Sequence, residues 1–213
     1  MKSNTVIVRT LGLQDYLATW LAMQQFTNNR DENTVDEIWL LEHPAVFTQG
    51  QNGNPEHVVA TGDIPVIQTD RGGQVTYHGP GQLIIYTLVD LKRKKLNVRQ
   101  VITLLEQSVV QLLADYNIQA QTRCEAPGVY VANKKICSIG LRIRRGCSFH
   151  GLALNVAMDL DPFLLINPCG FPRLKMTQIA ELNKTANIAQ VSLKLIEHLI
   201  TGLGYTNRLI LEK

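Results

Sequence analysis

The chain is short of the features that usually announce a special architecture. Aromatic residues make up only 6% of its 213 positions, with two tryptophans, so no stacking platform for bases or sugars stands out. Its four cysteines, Cys124, Cys137, Cys147 and Cys169, share no spacing that suits a metal site or a disulfide framework, which fits a reducing cytoplasm. No apolar run approaches the length of a membrane span, and Met1–Arg9 lacks the apolar centre of a secretory signal, reading instead as a first strand. Linkers rich in glycine and serine, low-complexity blocks and internal repeats are missing too. With 45% hydrophobic residues the chain can bury a core as a single domain over residues 1–213. A net charge of +3 is too small to indicate nucleic acid. The placement of charge is more informative, because cations concentrate in Lys92-Arg93-Lys94-Lys95 and Arg142-Ile143-Arg144-Arg145.

What is present begins with Asp70-Arg71-Gly72-Gly73-Gln74-Val75-Thr76-Tyr77-His78-Gly79-Pro80-Gly81-Gln82. Glycine lets the backbone approach a ligand closely and proline fixes a turn, but an ordinary solvent loop has no need of Arg71, Tyr77 and His78 together. The apolar run Leu83–Val89 follows and reads as a buried strand gripping this loop. Helical spacing is visible at Leu13, Tyr16, Leu17, Trp20 and Leu21. It recurs from Val98 to Leu113 behind an N-capping Asn97, and from Ile188 to Leu203 before Gly204. Between the last two, Gly128–Ala132 and Lys135–Leu141 flank a turn at Asn133-Lys134 and predict a hairpin, with Phe149–Val156 as a third strand. Earlier strands are expected at Glu37–Leu41 and Ile64–Ile67. Without a regular β-α-β alternation, the pattern predicts an α+β fold with a largely antiparallel or mixed sheet flanked by helices, and excludes a Rossmann fold.

For chemistry, Cys169 sits in Asn167-Pro168-Cys169-Gly170-Phe171-Pro172, where two prolines and a glycine favour a rigid loop over a core element. A loop-borne thiol is the better nucleophile candidate, since a thiolate needs access and nearby positive charge. Cys124 and Cys147 lie close to Arg123 and Arg145, so local charge alone leaves the choice open. Among His43, His57, His78, His150 and His198, the residues His78 and His150 adjoin glycines beside strands, while His198 falls within the last helix. No carboxylate with triad spacing accompanies either of the first two. A buried lysine can replace histidine as base, because desolvation disfavours the ammonium form. Lys135 opens an apolar strand and is the plausible choice; Lys134 falls at the turn.

Four of these segments together resemble one known family, the lipoyl(octanoyl) transferases: RGGQVTYHGPGQ from Arg71 to Gln82, KKICSIG from Lys134 to Gly140, FHGLALNV from Phe149 to Val156, and NPCG from Asn167 to Gly170. The resemblance covers essentially the whole chain. It implies a fold similar to the catalytic domain of biotin protein ligases and lipoate ligases. It also implies transfer of octanoate from acyl carrier protein to a lysine of lipoyl domains in 2-oxoacid dehydrogenase complexes and in the glycine cleavage H protein. Cys169 would be the acyl-thioester nucleophile and Lys135 the group that lowers its pKa and shuttles protons, with His78 in support. Arg71, Gly72, Gly73, Gln74, Val75, Thr76, Tyr77 and His78, then Ser138, Ile139 and Gly140, then Gly151, Leu152 and Ala153 would line the acyl pocket. No metal or cofactor is implied beyond the phosphopantetheine that carries the donor. A monomer is expected, with the basic clusters steering an acidic carrier. An ATP-dependent lipoate or biotin ligase is the competing reading, and Cys169 speaks against it.

Overall fold

The computed structural model describes residues 4–171 and 174–212, and of Cys169 and Glu212 the backbone alone. Pro172, the second proline of the Cys169 loop, lies outside the described residues. In chain order the elements are β1 (Thr5–Leu13), α1 (Tyr16–Asn28), β2 (Asp36–Glu42), β3 (Val46–Gln49), β4 (Val66–Gln68), β5 (Val75–His78), β6 (Gln82–Leu88), α2 (Leu91–Lys94), α3 (Val98–Asp115), β7 (Gln121–Thr122), β8 (Gly128–Val131), β9 (Lys134–Arg144), β10 (Cys147–Asn155), α4 (Ile179–Leu182), α5 (Ile188–Gly202) and β11 (Asn207–Glu212). Eight strands form one mixed sheet in the order β11-β1-β2-β6-β10-β9-β8-β7, and β4-β3-β5 form a smaller one. In the large sheet β1 runs parallel to both β2 and β11, and the other pairs are antiparallel. This is the α+β architecture with a mixed sheet.

Side chains alternate across a strand, so each buried strand feeds two cores. Ile38, Leu40, Leu83, Ile85, Leu152 and Leu154 face the layer built by α3 and α5. Trp39, Leu41, Ile84, Tyr86 and Ala153 face α1, which contributes Met23. Asn97 caps α3 as expected, and Gln100 completes a capping box by accepting from the Asn97 backbone N–H at 2.8 Å. The hairpin is also present, with Ala132 and Asn133 both at positive φ in its two-residue turn.

Helix α1 departs from its expected face. Leu13 belongs to β1, Asp15 caps the helix by accepting from Ala18 N, and the buried positions are Tyr16, Thr19, Met23 and Thr27. Leu17 and Leu21 are exposed at 46% and 48%. The cap fixes where the helix starts, and the sheet beneath takes Tyr16 and Met23, leaving those leucines on the far side.

The two basic clusters meet in space. Leu91 N donates to Gly146 O at 3.0 Å, which seats α2 against the β9–β10 turn, with the Lys92 side chain lying over Gly146. Arg93 serves the interior: with Arg30 it holds the buried carboxylate of Asp36, at 2.6 and 2.5 Å, which also accepts from Tyr205 Oη at 2.7 Å. Among the described residues no helix is long and apolar enough to cross a membrane.

Candidate active site

The small sheet lies over the large one, and the space between them is the site. On the large sheet, register places Ser138 opposite Ala153 and Ala153 opposite Ile84; one row on, Gly140 faces Gly151, which faces Tyr86. Two adjacent rows of minimal side chains leave a bare strip across β9 and β10. Gly151 is required here, since a Cβ at that position would sit 2.0 Å from Ile85 O. Above the strip, Gly73, Gln74, Thr76 and His78 form the roof. The cavity between is narrow, about 50 Å³, and Tyr16, Arg71 and His150 complete its lining.

Alternation divides the segments that the sequence grouped together. Thr76 and His78 point into the cleft, whereas Val75 and Tyr77 point the opposite way and pack with Phe47, Met158, Phe163 and Ile166. Ile139 and Leu152 border the cleft, but their side chains belong to the core beneath α3 and α5. Gly72 is spent on the join between the sheets, its N–H donating to Leu141 O at 2.9 Å.

Arg71 is a staple for the roof. Its guanidinium donates to Thr48 O at 2.6 Å, Thr48 Oγ1 at 2.8 Å, Gln74 O at 2.8 Å and Gly72 O at 3.0 Å, so one buried cation holds the loop around it. His78 continues the same network. Gln82 Nε2 donates to Tyr77 O and Asn155 Oδ1, which leaves Gln82 Oε1 to accept from His78 Nδ1–H at 2.8 Å. His78 Nε2 therefore accepts from the Thr48 hydroxyl at 3.1 Å. With both nitrogens engaged, and burial pushing its pKa well below the ordinary value, His78 is a neutral structural imidazole. His43 is a second one: Nδ1–H donates to Gln14 O at 2.7 Å and Nε2 accepts from Tyr86 Oη at 2.8 Å, with its pKa lowered to about 4 by burial.

His150 has a carboxylate partner that sequence spacing conceals. Its Nε2–H donates to Asp70 Oδ1 at 2.9 Å, and Trp20 Nε1 and Gln24 Nε2 of α1 anchor the same carboxylate. Burial opposes ionisation of Asp70, but these donors hold its pKa below the usual range. His150 adopts φ +60°, which turns its ring toward Tyr86 and Phe149 on the α1 side of the sheet. Its Nδ1 is buried with no hydrogen-bond partner.

Lys135 is 1% exposed at the start of β9. Its Nζ donates to Pro127 O at 3.0 Å and lies 5.5 Å from the centroid of the Tyr130 ring. The carboxyl of Glu106, on the buried face of α3, is close enough to interact with it electrostatically and accepts from Gly128 N at 2.9 Å. The main chain of Lys135 is paired with the segment after the Cys169 turn: its N–H donates to Lys175 O at 2.9 Å and its carbonyl accepts from Thr177 N at 3.0 Å. Cys169 itself lies in a single 3-10 turn, Pro168–Gly170, and its side chain lies outside the described atoms. The turn rests against the roof of the cleft. Gly170 has φ +75°, and a Cβ there would lie 2.4 Å from the Gln74 side chain. Of the other cysteines, Cys124 is exposed, whereas Cys137 and Cys147 are buried; burial pushes the Cys137 thiol up to about 12, which makes it a poor nucleophile.

Sequence reasoning missed Tyr16, Asp70 and Glu106. Glu106 left a signal, a carboxylate falling on the apolar stripe of α3. Tyr16 and Asp70 left none, because their partners are brought near only by the fold.

The lipoyl protein ligase A/B catalytic domain model matches residues 15–200. An octanoyltransferase of Klebsiella pneumoniae is 58% identical over 96% of both chains, and one of Escherichia coli is 59% identical over the same shares. Among solved structures, a bipartite lipoate protein ligase of Thermoplasma acidophilum superposes with a TM-score of 0.78 at 16% identity, covering 97% of this chain and 87% of that one. Lipoate-protein ligase A bound with ATP gives 0.76 at 15%, covering 99% and 89%. The biotin protein ligase of Aquifex aeolicus gives 0.56 at 14%, covering 94% and 69%. These distant neighbours share the fold; the close relatives, together with the family model, show that the chain belongs to the octanoyltransferases of the lipoyl protein ligase A/B family.

Proposed function

We propose that the protein transfers an octanoyl group from the phosphopantetheine thioester of acyl carrier protein to a lysine of lipoyl domains, by way of a thioester on Cys169. In the first half the Cys169 thiolate attacks the octanoyl carbonyl, and Lys135 gives its proton to the departing pantetheine thiol. In the second half the lysine amine of the lipoyl domain attacks the acyl-enzyme, Lys135 takes the proton that the amine loses, and the Cys169 thiolate leaves. One group acting as acid and then as base suits such a ping-pong exchange, and an activated thioester needs no ATP. The observation that carries this reading is the fully buried Lys135, paired through its main chain with the residues that follow the Cys169 turn. The narrow strip roofed by Gln74 and Thr76 supports it, since Ser138, Gly140, Gly151 and Ala153 leave the sheet nearly free of side chains there. The cations of α2 and of the neighbouring β9–β10 turn suit an acidic carrier.

The test is intact mass after mixing with octanoyl carrier protein in the absence of ATP. One hydroxylamine-sensitive octanoyl adduct is expected. It should vanish in Cys169→Ala, persist in Cys137→Ala, and form far more slowly in Lys135→Arg, which keeps a cation but cannot release a proton at neutral pH. An adduct that survives Cys169→Ala, or one that needs ATP, overturns the reading.

A further inference from the structure

The strip of bare sheet is closed at one end. Crossing from β9 over β10 to β6 covers two interstrand spacings, about 10 Å. An extended eight-carbon chain is about 9 Å long for zigzag C–C bonds of about 1.5 Å. The lengths match when the carbonyl carbon sits at the mouth, where Ser138 lines the strip and Gly170 meets Gln74. At the β6 side stand Tyr16, His78 and Tyr86, with His150 on the flank. The rings of Tyr16 and His78 stack at 5.8 Å, and those of Tyr86 and His150 meet edge-on at 6.0 Å.

Both of the flanking groups carry a buried polar atom. His150 Nδ1 is buried without a partner, and the hydroxyl of Tyr16 is buried beside that of Thr69, with which it interacts. Because Asp70 takes the Nε2–H of His150, Nδ1 presents a lone pair. An alkyl chain that stops short of this end leaves those atoms undisturbed. Two further methylenes would press against them, shutting out water and every other donor while meeting the ring of Tyr16 head-on.

We propose that Tyr16, backed by His78 and flanked by the His150 that Asp70 orients, is the end stop that sets the acyl length at eight carbons. This rests on the octanoyl-transfer reading and adds to it the residue that measures the chain. Tyr16 comes from α1, an element with no residue in the four motifs, so the length is set by a different part of the chain from the chemistry.

The experiment compares single-turnover acylation by hexanoyl, octanoyl, decanoyl and dodecanoyl carrier protein, read by intact mass. One surplus methylene at a closed pocket is worth about tenfold or more in rate, so the wild type should take decanoyl at least about tenfold more slowly than octanoyl. Tyr16→Leu removes the ring and should raise the decanoyl-to-octanoyl ratio by about tenfold or more. Tyr16→Phe, which keeps the ring and deletes Oη, should raise it several-fold. Ala153→Val, in the middle of the strip, should instead raise the hexanoyl-to-octanoyl ratio. Each readout is a ratio within one variant, so a smaller folded fraction cancels. A wild type that accepts octanoyl and dodecanoyl at equal rates overturns the end stop. Unchanged ratios in Tyr16→Phe and Ala153→Val overturn it too, even where Tyr16→Leu does not fold. A wild type that takes no acyl group from any donor overturns octanoyl transfer itself.

Discussion

Acid should unfold this protein through its neutral imidazoles before its carboxylates are touched. In the unfolded chain His43 binds a proton near pH 6.5, but in the folded state burial delays that to about 4. Between those values the unfolded chain holds more protons, so stability is fully present above pH 6.5 and is lost as pH falls toward 4. At about 1.4 kcal/mol per pH unit, His43 alone removes about 2 kcal/mol between pH 6.5 and pH 5. His78 and His150 have pKa values lowered mainly by burial and act with the same sign in the same window. Domains of this kind have only about 5–15 kcal/mol in hand, so the combined loss is a large share. The measurement is urea unfolding at about pH 7, 6 and 5, with His43→Gln as the control. Its amide can still donate to Gln14 O without titrating, so whatever its baseline cost, the dependence on pH should flatten by about 1 kcal/mol per unit between about pH 7 and 5. A wild type equally stable at pH 6.5 and 5, or a His43→Gln slope identical to wild type, would refute the reasoning.

Asp36→Ala should destabilise by about 3–5 kcal/mol, because Arg30 and Arg93 are left buried without their carboxylate; a thermal melt coincident with wild type would contradict this. Gly151→Ala should cost at least about 2 kcal/mol by prising β10 from β6 at Ile85 O, and a denaturation midpoint equal to wild type would show that the strands give way freely. Charge reversal at Lys92 and Arg144 should lower kcat/KM for octanoyl carrier protein by about tenfold at low salt and by little at high salt, leaving a small octanoyl thioester unaffected. Equal losses with both donors would place the damage in the fold or the cleft instead.

Much of the fold could be read from local pattern. The cap at Asn97 and the stripes of α3 and α5 depend on neighbours three or four residues away and stand where the sequence puts them; the hairpin is there too, but its turn falls one residue earlier than expected, at Ala132-Asn133, so that Lys134 already belongs to β9. The glycine-rich segment was legible as a ligand loop, but its internal division was not. Whether Val75 or Thr76 faces the cleft depends on which side of β5 the large sheet covers, a tertiary fact. His150 and Asp70 are 80 residues apart, so no spacing rule could pair them. The face of α1 is hidden for a related reason: its leucines are as apolar as its buried positions, and only Asp15 and the sheet beneath decide which go inside. Arg93 looked like part of a surface cluster until Asp36, from a distant strand, claimed it.

The bonds that begin at Arg71 have a direction. Arg71 donates to Thr48, Thr48 to His78, His78 to Gln82, Gln82 to Asn155, Asn155 to Thr177 O at 3.0 Å, and Thr177 N to the carbonyl of Lys135. From the fixed cation at the roof of the cleft to the Thr177 carbonyl every donor points the same way, and the Thr177 N–H, from the preceding peptide unit, adds a separate bond to the backbone of the buried lysine. Such a row polarises itself, and no member can turn round unless all of them do. Within it both nitrogens of His78 are engaged, by Thr48 and by Gln82. The row is also a tie-rod. It joins the roof of the cleft to the segment paired with the start of β9, so the two sides of the cleft are held by bonds as well as by packing.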